Sequence, residues 1–172
     1  MGPKIIGIVI AVLTGGGLVM LGLQWWIAGG VVTALGLVLL FFWWRLYQIL
    51  RISEALSKED FQKAKGQMAK IKNPEKLNDY SRTYYNFFKG VIDARENRFK
   101  EAEQAFKIAL EINRFRAPDE KATSHLMMGQ LLLRKRNRVG ATRHLQEAKS
   151  LASNPQIHEQ IKALAKQARI RV

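Results

Sequence analysis

Forty consecutive residues, 5–44, carry no charged side chain, and this run limits what the chain can fold into more than any other feature. Twenty-nine of those positions are hydrophobic. All four Trp and nine of the 13 Gly also lie before Arg45. Residues 45–172 hold all 14 acidic residues and 27 of the 28 Lys and Arg. A core helix of a small domain does not need forty uncharged residues, so a soluble single-domain enzyme is disfavoured. The absence of Cys excludes disulfides, thiolate chemistry and Cys-based zinc sites.

A helix needs about 20 apolar residues to cross a bilayer, so the run is too long for one crossing and suits two. Polarity and interfacial anchors coincide at Gln24-Trp25-Trp26, and a second Trp pair, Trp43-Trp44, stands beside Arg45. The expectation is a transmembrane helical hairpin over residues 1–44, with spans at about 5–23 and 27–44. Lys4, Arg45 and Arg51 flank the spans and the turn is uncharged. Both termini are therefore expected in the cytoplasm, in a plasma or inner membrane. Thr14-Gly15-Gly16-Gly17 and Gly29-Gly30 either pack the spans closely or reflect the general glycine enrichment of membrane helices. No A-x-A-like site follows the first apolar run, and Ile6 stands where N-myristoylation wants Ser or Thr, so both kinds of processing are rejected.

From Arg45 onward the apolar spacing is helical, as in Phe99, Ala102, Ala105, Phe106, Ala109 and Leu110. Pro74, Pro118 and Pro155 fall between periodic runs. The pattern predicts helices over 45–57, 60–72, 76–96, 98–113, 119–136, 138–152 and 156–170, with short connections and antiparallel neighbours. The fold class is all-α.

The helices repeat. Gly90 is followed by Ala102, Phe106 and Ala109, and Gly129 is followed at the same offsets by Ala141, Leu145 and Ala148. A weaker copy upstream has Phe61, Ala64, Met68 and Ile71. These residues resemble the tetratricopeptide repeat family, whose signature is a Gly in the first helix and an A-x3-F-x2-A run in the second. The resemblance covers roughly residues 45–170. The alanine anchors at 64, 102 and 141 are spaced by 38 and 39 residues, longer than the family's 34. Asn86, Asp93, His125 and Leu132 stand where the family has Trp and Tyr. The resemblance implies a short α-solenoid over 45–172, closed by a C-terminal capping helix with Ile157, Ile161, Leu164 and Ala168.

It also implies a concave groove, lined by first helices, that takes a peptide or a partner helix. Carried over residue by residue, the groove is Tyr84, Phe87, Phe88, Val91 and Arg95 from one copy, and Leu126, Met127, Gln130 and Arg134 from the next. Phe87 and Phe88 are alternatively core. Phe87 and Val91 replace the Lys and Asn that clamp a C-terminal carboxylate in chaperone-binding members. An apolar or amphipathic segment is therefore the expected ligand.

Basic residues give a second candidate surface. Residues 121–172 have 11 basic against two acidic side chains, concentrated in Arg134, Lys135, Arg136 and Arg138 and in Lys162, Lys166 and Arg169. Anionic lipid, an acidic protein or water alone would satisfy such a face. Nucleic acid is disfavoured, because no Phe, Trp or Tyr follows Phe115 to stack on bases. No metal or cofactor is expected. His125, His144 and His158 show neither a ligand spacing nor a catalytic arrangement, so the chain is not expected to be an enzyme. The sequence thus points to a membrane-anchored scaffold that recruits a partner segment at the membrane, as an accessory or assembly subunit. A basic lipid- or nucleic-acid-binding module is the alternative.

Overall fold

The computed structural model of the chain describes residues 8, 11–12, 14–16 and 26–171. Among them every regular element is helical: α1 (Trp26–Ser57), α2 (Phe61–Ala69), a 3-10 turn at Pro74–Lys76, α3 (Asp79–Arg95), α4 (Phe99–Ile112), α5 (Pro118–Arg134), α6 (Arg138–Leu151) and α7 (Pro155–Ala168). The chain forms two compact units, Met1–Glu54 and Ala55–Val172.

In the first unit, α1 runs on past Trp44 through Arg51 and Glu54. Among the described residues no helix is long and apolar enough to cross a membrane. This overturns the expectation of an integral membrane protein and leaves the two-span hairpin without support. Composition suggested crossings, but a crossing needs one continuous apolar helix of sufficient length. Most of the expected first span, 5–23, lies outside the described residues, as does Gly17. Gly15, Gly16 and Gly30 face open space, and the close approach falls instead at Gly36, where an added Cβ would lie 2.6 Å from Thr14 Cγ2.

The second unit is built from helix pairs, with α3 against α4 and α5 against α6 as the most extensive contacts. Their ends follow from local chemistry. The Asp60 carboxylate accepts from the Lys63 amide at 3.0 Å, and the side chains of Asn78 and Asn137 accept from the Ser81 and Gly140 amides at 2.9 Å. Each satisfies a donor that a helix start leaves open. Pro118 and Pro155 occupy first helical positions, where a missing N–H costs nothing.

The turns that join helices within a pair are copies of one another. Glu59, Asn97 and Arg136 are all left-handed, with φ of 57°, 60° and 60°. The following amides, of Asp60, Arg98 and Asn137, donate to the carbonyls of Ala55, Asp93 and Leu132 at 2.9, 2.8 and 2.9 Å. The left-handed residues' own amides reach Leu56, Ala94 and Leu133 at 3.0, 3.2 and 2.9 Å. That pair of bonds is the Schellman closure of a helix end. The three turns are spaced by 38 and 39 residues, the spacing of the alanine anchors. The upstream copy, weak in side chains, therefore has the same backbone turn as the other two.

Small residues set the packing within pairs. Ala64, Ala102, Ala109, Ala141 and Ala148 are fully buried, with Phe106 and Leu145 between the later anchors. Gly90 lies against Phe106 and Gly129 against Leu145. At the C-terminal end, Ile157 and Ile161 of α7 join Ala122, Leu126, Leu145 and Ala148 in one cluster, which covers the apolar face of the last pair.

Candidate functional site

A helix with neighbours on both sides keeps little free surface. On α3, buried side chains at Ser81, Thr83, Tyr84, Asn86, Phe88, Ile92 and Asp93 take up most of the circumference. Among the side chains left at least partly open are Phe87, Val91 and Arg95, spaced i, i+4, i+8. On α5 they include Met127, Gln130 and Arg134. Val91, Arg95, Met127, Gln130 and Arg134 come together around a cavity of about 330 Å³ between α3 and α5.

Three residues expected in the groove are core instead. Tyr84, Phe88 and Leu126 are each 6% exposed or less, because the preceding and following helices cover their faces. Tyr84 has a structural task. Its hydroxyl donates to the Glu120 carboxylate and accepts from the Arg116 amide at 2.8 Å, which ties α3 to the start of α5. Burial, then the Glu120 acceptor, pushes the phenol's pKa well above its ordinary value. Phe87 is half-buried and meets Phe106 and Phe115 edge-on, at 6.1 and 6.2 Å between centroids.

The cavity also has walls outside the expected groove set: Phe61, which opens the upstream copy, and Ala94, Phe99 and Leu131. Arg95 lies over the ring of Phe61 and Arg134 over that of Phe99, both at 4.6 Å. Phe61 and Phe99 each stand three residues before an anchor alanine, a signal the sequence did contain. The same place in the last copy is Arg138. There the stacking clasp gives way to charge, and a second cavity of about 570 Å³ opens, lined by Arg134, Arg136, Arg138, Leu133 and Leu164 among others. The two cavities share Gln130 and Arg134, so they adjoin along α5.

The basic residues do not form the single patch expected of them. Lys135 pairs with Glu103, whereas Arg134 lies over Phe99. Lys162 and Lys166 border another cavity, of about 520 Å³, beside Lys149 and His158. Lys162 is also paired with Glu159 at 2.9 Å. Arg169 is exposed at the left-handed end of α7. The helical turn of about 100° per residue separates neighbours in sequence onto different faces.

The fold also brings His125 of α5 and His144 of α6 together, Nδ1 to Nδ1 at 3.0 Å. Burial, and then the neighbouring His144, lowers the His125 pKa to about 4. His144 is lowered by burial and then by Arg143. Two nitrogens this close share one proton, so one ring donates and the other accepts. Among the described residues no group of three or more His, Cys, Asp or Glu is placed to hold a metal.

No family model, curated protein or solved structure matches the chain.

Proposed function

We propose that the second unit is a tetratricopeptide-like scaffold that holds a segment of a partner protein in the groove between α3 and α5. The observation that carries this reading is the shared cavity. The resemblance to the tetratricopeptide repeat implies one surface for Val91, Arg95, Met127, Gln130 and Arg134, and all five line the same hollow. Its apolar floor and arginine rim suit an amphipathic segment, with apolar side chains giving affinity and polar ones fixing register. A lining of apolar side chains with Gln130 and two arginines supports binding as the reading.

The test is a photo-reactive side chain at Gln130, which is exposed in the groove, and for comparison at Gln146, which is exposed on α6. A partner protein should crosslink from position 130 and not from 146. Crosslinking that is equal from both positions, or absent from 130, refutes the groove as the docking site.

A further inference from the structure

We propose that the segment this groove takes is acidic: a protein stretch in which carboxylates accompany apolar side chains, with the carboxylates held at the α5–α6 end. The inference rests on the groove being the docking site and adds the chemistry of its ligand. The first observation is the pairing state of the arginines. Some cations of the second unit have acids beside them, as Lys65 with Glu96, Lys89 and Arg98 with Asp93, Lys135 with Glu103 and Lys162 with Glu159, and others, such as Lys100 and Arg143, do not. Among the described residues, Arg95, Arg134, Arg136 and Arg138 pair with no carboxylate, and all four line the two adjoining cavities. Arg95 and Arg134 line the groove between α3 and α5, and Arg134, Arg136 and Arg138 the cavity beside it. No acidic side chain lines either cavity.

The second observation is how the charges are held. Arg95 and Arg134 lie over aromatic rings, which fixes their planar forks before any ligand arrives. Arg136 occupies the left-handed turn position, where a bulky side chain is unfavourable and glycine would be at ease. Planar guanidinium groups match carboxylates with two parallel hydrogen bonds. Leu133 and Leu164, on the walls of the same cavity, offer apolar contact next to them. A purely apolar segment would leave these charges unanswered, and a basic one would be repelled.

The experiment selects binders from a random peptide display library on the full chain, then measures enriched peptides by fluorescence anisotropy. The variant is Arg136→Gly/Arg138→Gln, which removes two charges and relaxes the turn, so lost binding does not stem from misfolding. Enriched peptides should combine Asp or Glu with Leu-like residues. The variant should weaken them about tenfold or more near 0.1 M salt, and less at high salt. Peptides without acidic residues, competing with the Gln130 crosslink, would overturn the acidic ligand and leave the groove as a docking site. No enriched peptide at all would overturn both. Flotation of the chain with phosphatidylserine vesicles, lost in the same variant while peptides bind equally well to both proteins, would assign the arginines to lipid and overturn the proposal.

Discussion

Gly129 of α5 faces Leu145 of α6 so closely that a Cβ on the glycine would lie 2.9 Å from the leucine's Cγ and Cδ2. One copy earlier, a Cβ on Gly90 would lie 2.9 Å from the ring of Phe106. Leu145 and Phe106 are fully buried, so neither has free volume to move into. The helix pairs are thus set by a glycine meeting a large side chain, once per copy.

Gly90→Ala and Gly129→Ala should therefore destabilise the second unit. Overpacking of this kind costs about 1–3 kcal/mol, and the gain in helix propensity returns up to about 1 kcal/mol. Gly66→Ala is the control, because nothing lies within 4 Å of its missing Cβ. It should stabilise by about 0.5–1 kcal/mol. Thermal or urea unfolding of the three variants checks the sign of each, and destabilisation at Gly66 would show that the helix, not the contact, is responsible.

The buried carboxylate of Asp93 is 3% exposed and is bound by Lys89 Nζ at 2.6 Å and Arg98 Nε at 3.0 Å. Its two cations are partly exposed, so loss of the acid lets them rehydrate, whereas loss of the cations strands a buried charge. Lys89→Ala/Arg98→Ala should cost about 3–5 kcal/mol. Asp93→Leu, which installs the residue type standing at Leu132 one copy later, should change stability by about 1 kcal/mol or less. Equal losses in urea midpoint would contradict this asymmetry.

The left-handed turn residues give a third expectation. A left-handed non-glycine residue costs about 1–2 kcal/mol, less for Asn, whose short polar side chain bonds locally. Glu59→Gly should therefore raise stability by about 1 kcal/mol, and Asn97→Gly by a smaller amount. Differential scanning calorimetry should rank the two in that order.

How much of this was legible in the sequence depended on whether one residue or a spatial neighbour carried the information. Gly90, Gly129 and the anchor alanines were readable because a small residue at a helix crossing announces itself at a fixed offset. The stripe of Val91, Arg95, Met127, Gln130 and Arg134 is implied by the resemblance to the tetratricopeptide repeat, carried over residue by residue. The same carry-over puts Tyr84, Leu126 and, as one of two readings, Phe88 in the groove, because a family position marks a helix face without saying how far neighbouring helices wrap around it. The stacking of Arg134 on Phe99 crosses 35 positions, and the His125–His144 contact joins two helices. Neither has a local pattern. The three identical turns were hidden for a related reason: Glu59, Asn97 and Arg136 share a backbone conformation but no chemistry.

The histidine pair sets an acid limit on stability. His125, with an ordinary pKa of 6.5, is held at about 4 in the folded chain by burial and by His144. His144 is lowered too, by burial and Arg143. Glu147 faces both rings and opposes the shifts, while Lys121 adds to that of His125. The unfolded chain thus binds protons more readily than the folded one between pH 6.5 and 4. Stability is complete above pH 6.5 and falls as the pH drops through that window. The loss from His125 should reach about 1–2 kcal/mol, given partial exposure that screens the charge. The carboxylates of Glu96 and Glu159 lie below their ordinary 4.5, held there first by hydrogen bonds from Lys65 and Lys162, so their contribution is lost only at lower pH. The upper part of the acid slope therefore belongs to the histidines. His125→Asn, the residue type found at Asn86 one copy earlier, should flatten the slope between pH 6.5 and 4.5 and leave the lower part intact. Urea midpoints across that range measure it, and an unchanged slope in the variant would remove the pair as the cause.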